Sequence, residues 1–359
     1  MMPGHEKKRI LIVLIAGIGD LILASPALRA IRNGFPEAEI HLLTSTDAAP
    51  IAEHYDFLSR IWEFPIRELR RSKLHLFDIL RILKVLRKIS FQEAVNLYHI
   101  GSAAGALKMG ALFLTLKATE KIGHDAHGFG LFLTRTVPAD FFQKRHFADS
   151  MAELAIFAGG IPDEKGVEVF WDSGCENKWA DLIKSKTINR LLIGINPGGD
   201  RKNKRWDPRR YAAVADRLAD CFDATILLFG GPGEEGIARE VHGNMKCEAK
   251  DLSGKLSLDD LAYLVSRLDL LVTNDSAPMH IGAATRTPLV ALFGPGDPAL
   301  MGPYTRSDLF RIIYKDVPCR PCVASRCEHI HCLDLIEPEE VVDKCIEILK
   351  IHKSSVFKE

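Results

Sequence analysis

The chain has 359 residues, which is too long for one ordinary hydrophobic core and about right for two domains. With 47% hydrophobic and 26% charged residues, it has the composition of a globular protein, which excludes wholesale disorder. The formal net charge of zero argues against a general nucleic-acid-binding protein, which would carry a clear basic excess. Charged partners are therefore expected only at local patches.

The first predicted element is an apolar strand at residues 10–16 (ILIVLIA). This run is too short to cross a membrane, and Asp20 interrupts any signal-peptide pattern, so we expect a soluble, cytoplasmic protein. A glycine turn, a helix at 21–33 and a strand at 39–44 follow. This order of strand, helix and strand predicts a parallel α/β sheet.

Asp20 ends the glycine turn and has two interpretations. The turn is not a dinucleotide-binding fingerprint, because the third glycine of G-x-G-x-x-G would fall on Ile22. Asp20 is then either an N-cap for helix 21–33 or a carboxylate at the carboxyl edge of the first strand. In the second case it can take a proton from a substrate hydroxyl.

Further strands are predicted at 60–64 and 93–97, and helices at 76–90, 102–116 and 149–158. Residues 66–88 contain eight Lys or Arg residues against Glu68 and Asp78, a local excess of six positive charges. The segment is either a solvated surface or a site for an anionic glycolipid that is also attracted to an anionic membrane. The first candidates for acceptor binding are Arg67, Arg70 and Arg71.

Polar residues at 172–189 separate this half from a second βαβ series. A strand is predicted at 190–195, a helix at 208–221 and another strand at 224–229. The loop between the first two, NPGGDRKNKRW, has Gly198 and Gly199, where backbone can approach a ligand, and four basic side chains. It is either a solvated basic loop or half of an anion site. The basic residues are Arg201, Lys202, Lys204 and Arg205.

The run VTNDSAPMHIGAATRTPLVALFGPGDP, residues 272–298, completes the predicted site. A strand at 269–273 ends at Asp275-Ser276, which we expect to cap a helix running to Ala284, and a strand at 289–293 follows. The start of such a helix lies at the carboxyl edge of a parallel sheet, where its N–H groups favour phosphate. Together with the basic loop, which emerges at the same edge, it can bind a diphosphate without a metal.

We place the first domain at 1–175, the second at 176–336, and a C-terminal helix and tail at 337–359. Two doubly wound domains facing one another would leave a central cleft for ligands. Four cysteines crowd into one segment of the second domain and indicate a structural metal such as zinc, or else disulfides, free thiols or a redox cluster. They are Cys319, Cys322, Cys327 and Cys332.

Five separated motifs resemble one known family in the same order. They are GIGDLILASPALRAIRNGFP, NPGGDRKNKRWDPRRYAAVADRL, LLFGGPGEE, DLSGKLSLDDLAYLVSRLDLLVTNDSAPMHIGAA and TPLVALFGP. The family is the glycosyltransferases that include the ADP-heptose:lipopolysaccharide heptosyltransferases, known as glycosyltransferase family 9. The resemblance covers most of the chain.

The resemblance implies a GT-B architecture of two Rossmann-like domains, with the acceptor on the first and the nucleotide sugar on the second. It implies an inverting transfer from an ADP-heptose type of donor to a lipopolysaccharide core or similar anionic glycolipid, without a required metal or other cofactor. The enzyme would work in the cytoplasm, with peripheral contact at the inner membrane. No nucleic acid is implied as a partner.

Residue roles follow from the same resemblance. Asp20 falls on the general base that acts on the acceptor hydroxyl, and Lys204 on the basic residue that neutralises the departing diphosphate. Gly198 and Gly199 stand where some members have hydroxyl side chains, so backbone N–H groups must replace them. Either Glu234 or Glu235 binds the ribose. The helix-start positions that match the family's donor motif are Asp275, Ser276, Ala277, Met279 and His280.

Two other functions fit the same motifs. A GT-B nucleotide-sugar epimerase would need acid and base residues around one sugar carbon and no acceptor, and the basic segment at 66–73 argues mildly against it. A noncatalytic nucleotide- or glycan-binding protein would have no use for Asp20 in its position.

Overall fold

The computed structural model describes residues 7–66, 68, 75–138, 145–184, 190–322, 327 and 330–352. The chain divides into two compact units between Gly166 and Val167. Each unit is built on one six-stranded sheet whose strands are all parallel. Within the described part of the chain, no helix is both long enough and apolar enough to cross a membrane.

The first unit has the strand order β3-β2-β1-β4-β5-β6. The strands are β1 (Arg9–Leu14), β2 (Glu39–Ser45), β3 (Arg60–Phe64), β4 (Ser90–Asn96), β5 (Lys117–Asp125) and β6 (Arg135–Pro138). The helices are α1 (Ile18–Gly34), α2 (Ala49–Ala52), α3 (His75–Leu86), α4 (Ala103–Thr115) and α5 (Phe147–Phe157).

One face of the first sheet is covered by α3 and α4. Leu86 of α3 and Met109 and Phe113 of α4 are buried in one cluster with Leu11 of β1 and Phe91 of β4. The C-terminal end of the unit is held to α1 by Arg29, which donates two hydrogen bonds to the Asp163 carboxylate and one to the Gly166 carbonyl. The hydrogen bonds from Arg29 hold the pKa of Asp163 down at about 2.

The second unit has the strand order β12-β11-β10-β7-β8-β9. The strands are β7 (Leu192–Asn196), β8 (Thr225–Leu228), β9 (Ala249–Asp251), β10 (Leu270–Asn274), β11 (Leu289–Phe293) and β12 (Phe310–Tyr314). The helices are α6 (Gly174–Lys178), α7 (Ala180–Lys184), α8 (Pro208–Phe222), α9 (Glu235–Asn244), α10 (Leu258–Ser266), α11 (Ala277–Ala284), α12 (Pro298–Met301), α13 (His331–Asp334) and α14 (Pro338–His352). Single 3₁₀ turns lie at Lys202–Lys204 and Ser307–Leu309.

The domain boundaries differ from the prediction at both ends of the second unit. The division falls nine residues before the expected 175/176 boundary, because α6 belongs to the second unit. There the Asp260 carboxylate accepts hydrogen bonds from Lys178 Nζ (2.6 Å) and Trp179 Nε1 (2.7 Å). The C-terminal helix α14 is no separate segment, since its buried residues Val341 and Ile348 belong to the core that α8 and the sheet also form.

Candidate functional site

The carboxyl edge of the second sheet brings together the loops that follow β7, β8, β10 and β11. The loop after β7 is the predicted basic loop, and its 3₁₀ turn at Lys202–Lys204 places Lys204 close to the end of β10. All five residues of β7 and of β10 are buried, so the two strands form a rigid base for the loops that follow them.

Asn274, the last residue of β10, holds the basic loop in place. Its Nδ2 atom donates to the carbonyl oxygens of Pro197 (2.9 Å) and Gly198 (3.0 Å). Its Oδ1 atom accepts from the Tyr211 hydroxyl (2.9 Å) and from the Trp206 backbone N–H (3.4 Å). Because Asn274 is fully buried, this amide uses its complete hydrogen-bonding capacity inside the protein. Asn274 was not predicted as a site residue, although an asparagine at the end of an apolar strand is a signal for one.

Lys204 and Asp275, both predicted donor-site residues, form an ion pair. Lys204 Nζ lies 2.7 Å from Asp275 Oδ2, and the two side chains are 16% and 6% exposed. Gly296, in the loop after β11, borders the pair, because a Cβ atom there would lie only 2.6 Å from Asp275 Oδ2. Any larger residue at 296 would push the carboxylate away from Lys204.

Glu234 links the two glycine-rich loops of the edge. Its two carboxylate oxygens accept from the backbone N–H groups of Gly199 (2.7 Å) and Gly231 (2.8 Å). A Cβ atom at Gly198 would lie 2.2 Å from Glu234 Oε2, so the close approach needs glycine at that position. Since a carboxylate has about four lone-pair sites, Glu234 keeps capacity for a ribose hydroxyl. Its ribose role, and that of the neighbouring Glu235, stay predictions.

The start of α11 differs in one detail from the expected cap. Ser276 is the N-cap residue, but its side chain makes no capping hydrogen bond. Its Oγ atom instead accepts from Asn196 Nδ2 (3.2 Å) and donates to the Asn274 carbonyl (3.3 Å), because these groups at the strand ends compete for it. Ala277 is the first helical residue. Met279 and His280 are buried in the unit, and their contact with a donor stays a prediction.

In the first unit, Asp20 lies in the first turn of α1. The helix begins at Ile18, so the expected start at residue 21 is wrong, and the N-cap residue is Gly17. Asp20 is the third helical residue, and its Oδ2 atom accepts from the Gly17 backbone N–H (3.0 Å). It therefore caps the helix by reaching back, as acidic residues at this position do. The side chain is half-buried.

Two histidines that sequence analysis missed lie at the same edge of the first sheet. His99, in the loop after β4, stacks on His124 of β5 with ring centroids 4.7 Å apart. Burial lowers the pKa of both, that of His99 to about 4, so both rings are neutral at pH 7. His124 Nε2 lies 3.2 Å from the Ser150 carbonyl.

The acceptor-binding candidates Arg67, Arg70 and Arg71 lie outside the described residues. Lys73 also lies outside them, whereas the four cations of the predicted basic segment that the structure describes are all exposed. They are Arg81, Lys84, Arg87 and Lys88.

The four clustered cysteines lie among the described residues, and within that part of the chain no three His, Cys, Asp or Glu side chains are grouped to hold an ion. All are free thiols; Cys319 and Cys327 are exposed, whereas Cys332 is buried. Burial and the neighbouring thiols raise the pKa of Cys332. The segment does reach the site through its backbone, because Cys322 N–H donates to the Pro295 carbonyl (3.0 Å). A zinc ion stays a prediction.

Comparison with known proteins gives consistent matches. The model of the family described as "Glycosyltransferase family 9 (heptosyltransferase)" matches residues 80–332. Lipooligosaccharide heptosyltransferase 2 of Campylobacter jejuni is 26% identical over 352 residues, which cover 95% of this chain and 98% of that protein.

Two solved structures have a similar fold. The glycosyl transferase family 9 protein of Veillonella parvula has a TM-score of 0.78 at 24% identity, covering 95% of this chain and 97% of that one. The ADP-heptose lps heptosyltransferase II of E. coli has a TM-score of 0.73 at 22% identity, covering 96% and 99%. The predicted α/β fold class is confirmed.

Proposed function

The chain belongs to glycosyltransferase family 9, the heptosyltransferase family, and from that premise we propose its donor, acceptor and mechanism. The donor is an ADP-heptose or a related ADP-sugar, and the acceptor is a lipopolysaccharide core or a similar anionic glycolipid. The names of two relatives support this proposal, since they give ADP-heptose, lipopolysaccharide and lipooligosaccharide as the compounds those proteins use or make.

The ion pair of Lys204 and Asp275 is the observation that carries the donor proposal. A diphosphate needs a cation that is held in place before the reaction and that lies among backbone N–H groups. Lys204 meets this need, because Asp275 fixes its ammonium group at the start of α11. As the bond between sugar and diphosphate breaks, Lys204 stabilises the negative charge that develops on the leaving group. Asp275 then orients the lysine or a sugar hydroxyl.

Asp20 is the proposed general base. It removes the proton of the acceptor hydroxyl as that oxygen attacks the anomeric carbon from the face opposite the diphosphate, which inverts the configuration. Its position in the first turn of α1 supports the role, because the carboxylate is half-buried and its Gly17 hydrogen bond fixes one oxygen. The proton passes to Asp20, and the electron pair of the broken bond passes to ADP.

No metal takes part in this proposal, since Lys204 and the helix start supply the positive charge. A structural zinc ion at the four cysteines is a separate proposal with its own test. Metal analysis of the purified protein should find one zinc per chain if it is correct, and a metal-free protein of unchanged melting temperature would disprove it.

The donor proposal can be tested by measuring melting temperatures with ADP, UDP, GDP and CDP. A ligand that binds only the folded state raises the melting temperature, so ADP should give the largest rise. Lys204→Met should remove most of that rise. Lys202→Met is a matched control in the same loop, because the Lys202 side chain is exposed, and it should keep the rise. A preference for UDP or GDP would contradict the ADP-sugar assignment.

Transfer itself is then tested with ADP-heptose and a lipopolysaccharide-core acceptor. Release of ADP should require the acceptor, and the product should have the inverted anomeric configuration. ADP binding without acceptor-dependent release would contradict the transfer reaction while leaving the nucleotide assignment in place.

A further inference from the structure

An open cavity lies at the amino edge of the first sheet, the edge opposite Asp20. It has a volume of about 650 Å³ and is found where β1, β2 and β3 begin and where the chain passes from α3 to β4. Small-molecule sites in proteins have volumes of about 300–1,000 Å³. Since β1 has six residues, the cavity lies roughly 20 Å from the carboxyl edge and is separate from the proposed reaction site.

The register of the strands places the lining side chains on one face of the sheet. Arg9 of β1 is aligned with Glu39 of β2, and His41 of β2 is aligned with Arg60 of β3. Because side chains alternate along a strand, Glu39 and His41 point to the same face, and their aligned partners do the same. Lys88, in the turn between α3 and β4, lines the cavity as well, so cations from three separate segments meet there.

The cavity has more positive than negative charge. Arg9 Nε lies 2.9 Å from Glu39 Oε2, so these two charges are paired. The Arg60 guanidinium lies 4.0 Å from the centre of the Trp62 ring, and Lys88 is exposed. Within the described residues, neither Arg60 nor Lys88 has an ion pair or a side-chain hydrogen bond. Two positive charges in the cavity are therefore uncompensated.

His41 adds a buried hydrogen-bond donor to these charges. The residue is only 6% exposed, and its Nδ1 atom accepts a hydrogen bond from Trp62 Nε1 (3.3 Å). Burial is the main cause that lowers the pKa of this histidine, and the charges of Arg60 and Arg9 lower it further against Glu39, so the ring is neutral at pH 7. A neutral ring that accepts at Nδ1 carries its hydrogen on Nε2. The Nε2–H group is thus the donor that His41 offers to the cavity it lines.

We infer that this cavity binds the phosphate group of a small phosphate monoester, of the sugar phosphate class. A phosphate monoester carries between one and two negative charges at pH 7, which the two uncompensated cations match. The planar guanidinium of Arg60 can donate two parallel hydrogen bonds to phosphate oxygens, and Lys88 supplies a second positive charge. The His41 N–H group provides a further donor from the floor of the cavity.

The remaining space suits a hydroxylated molecule. The cavity is much larger than a phosphate group, and the rest of its lining is mostly polar, with the hydroxyl groups of Ser59 and Ser90 and the carboxylate of Glu39. These groups can exchange hydrogen bonds with sugar hydroxyls. A neutral sugar alone would leave both cations without a partner, and a cationic ligand would be repelled. This inference does not rest on the proposed function.

Calorimetric titration of the full chain with glucose 6-phosphate tests the inference. Saturating ADP is present throughout, so that the proposed donor site is not open to the added phosphate. Glucose 6-phosphate should bind, whereas glucose at the same concentration and ionic strength should not. Arg60→Gln with Lys88→Gln should weaken the binding by about tenfold or more, because two charge-assisted contacts are lost.

A matched variant separates the cavity from the general charge of the unit. Arg81→Gln with Lys108→Gln removes the same two charges from exposed positions of the first unit that do not line the cavity. It should bind glucose 6-phosphate like the wild type, since salt screens exposed charges over about 10 Å. Both double variants should keep the rise of melting temperature with ADP, which serves as the control for folding. Lys204→Met, tested without ADP, should also keep the binding of glucose 6-phosphate.

Several outcomes would overturn the inference. They are the absence of glucose 6-phosphate binding to the wild type, equal binding of glucose, unchanged affinity in the Arg60 and Lys88 double variant, or an equal loss in the Arg81 and Lys108 double variant. The last would show an effect of overall charge. Loss of binding in Lys204→Met would place the phosphate at the donor site instead. Absence of the ADP effect in the wild type would count against the donor proposal alone.

Discussion

The carboxyl edges of the two sheets are built differently. In the second unit, side chains at the edge join segments that are far apart in the chain: Asn274 holds the loop after β7, and Glu234 holds two glycine turns. In the first unit, Asp20 bonds to a backbone group only three residues away. A leaving diphosphate needs dipoles and charges that do not move as the reaction proceeds, whereas a general base needs one carboxylate within reach of a proton.

The largest effect is expected at Asp20. Asp20→Asn keeps an oxygen that can accept from the Gly17 N–H, so the melting temperature should stay near that of the wild type. The amide cannot take a proton, and turnover should fall roughly 10²- to 10⁴-fold with ADP binding unchanged. Asp20→Ala should lose the same activity and in addition about 1 kcal/mol of stability, because the helix loses its cap. Substantial activity in the asparagine variant would exclude Asp20 as the base.

Lys204 should come next. Lys204→Met should lower kcat by about 10²- to 10³-fold, because the charge that meets the leaving group is lost. It should also weaken ADP binding, unlike Asp20→Asn, since Asp275 is left as a buried carboxylate at the phosphate site. The unpaired carboxylate should also lower the stability of Lys204→Met. Adding Asp275→Asn should recover part of that stability but not the lost kcat. If both variants bind ADP as the wild type does, the ion pair is structural and the contrast between the two edges fails.

Asn274 tests whether long-range hydrogen bonds matter for the donor site. Asn274→Ala removes the partner of the Tyr211 hydroxyl, the Trp206 N–H and two loop carbonyls, and should cost on the order of 3 kcal/mol of unfolding free energy. The Kd for ADP should rise as the loop loses its position. Tyr211→Phe removes one donor only and should cost about 1 kcal/mol. Chemical denaturation and ADP titration measure both; unchanged ADP affinity in Asn274→Ala would show that the loop holds its shape without Asn274.

The smallest expected effect is a loss of stability at low pH. It should occur in both units, at carboxylates that lie away from the sheet edges. Burial raises the pKa of Asp260, but hydrogen bonds from Lys178, Trp179 and Ser257 outweigh it and hold that pKa at about 2. A carboxyl group whose pKa is lowered by folding stabilises the protein at pH values above its ordinary pKa. That stabilisation is lost as the pH falls, here between about pH 4 and 2. The loss should be about 2 kcal/mol, and Asp260→Asn should remove this pH dependence.

Asp163 makes the matching test in the first unit. Its pKa is also about 2, because Arg29 donates hydrogen bonds to it. Stability measured between pH 5 and 2 should therefore decline in the same window for both units, and Asp163→Asn should remove the part that belongs to the first. A decline confined to one unit would mean that the units differ in their scaffolds as well as at their edges.

Much of the scaffold was predictable because buried parallel strands leave continuous apolar runs. The strand at 289–293 was predicted with its observed bounds, and the helix at 208–221 was predicted within one residue. The edge strands β6, β9 and β12 were missed, and so was β5, which lies beside β6. These strands have polar or partly exposed residues, so their sequences lack a continuous apolar run. Their pairing is decided by the neighbouring strand and not by their own composition.

The site was predictable where charge or glycine marked it. Lys204 and Asp275 were both expected at the donor site, and the structure brings them into contact. Their mutual pairing was not expected, because sequence spacing does not say which of four basic side chains points inward. The buried Asn274 and His124 and the partly buried His99 were missed for a similar reason, since each looks in sequence like any polar residue near the end of a strand.

The bonds around Asn274 also fix when the donor site can form. Tyr211 and Pro197 precede Asn274 by 63 and 77 residues, and Trp206 Nε1 donates to the Ile336 carbonyl 130 residues later. During synthesis the basic loop leaves the ribosome long before its partners exist. The first unit can fold while the second is still being made, but the proposed nucleotide pocket must wait until translation has passed residue 336. Nucleotide binding should therefore be absent from nascent chains that end before residue 336.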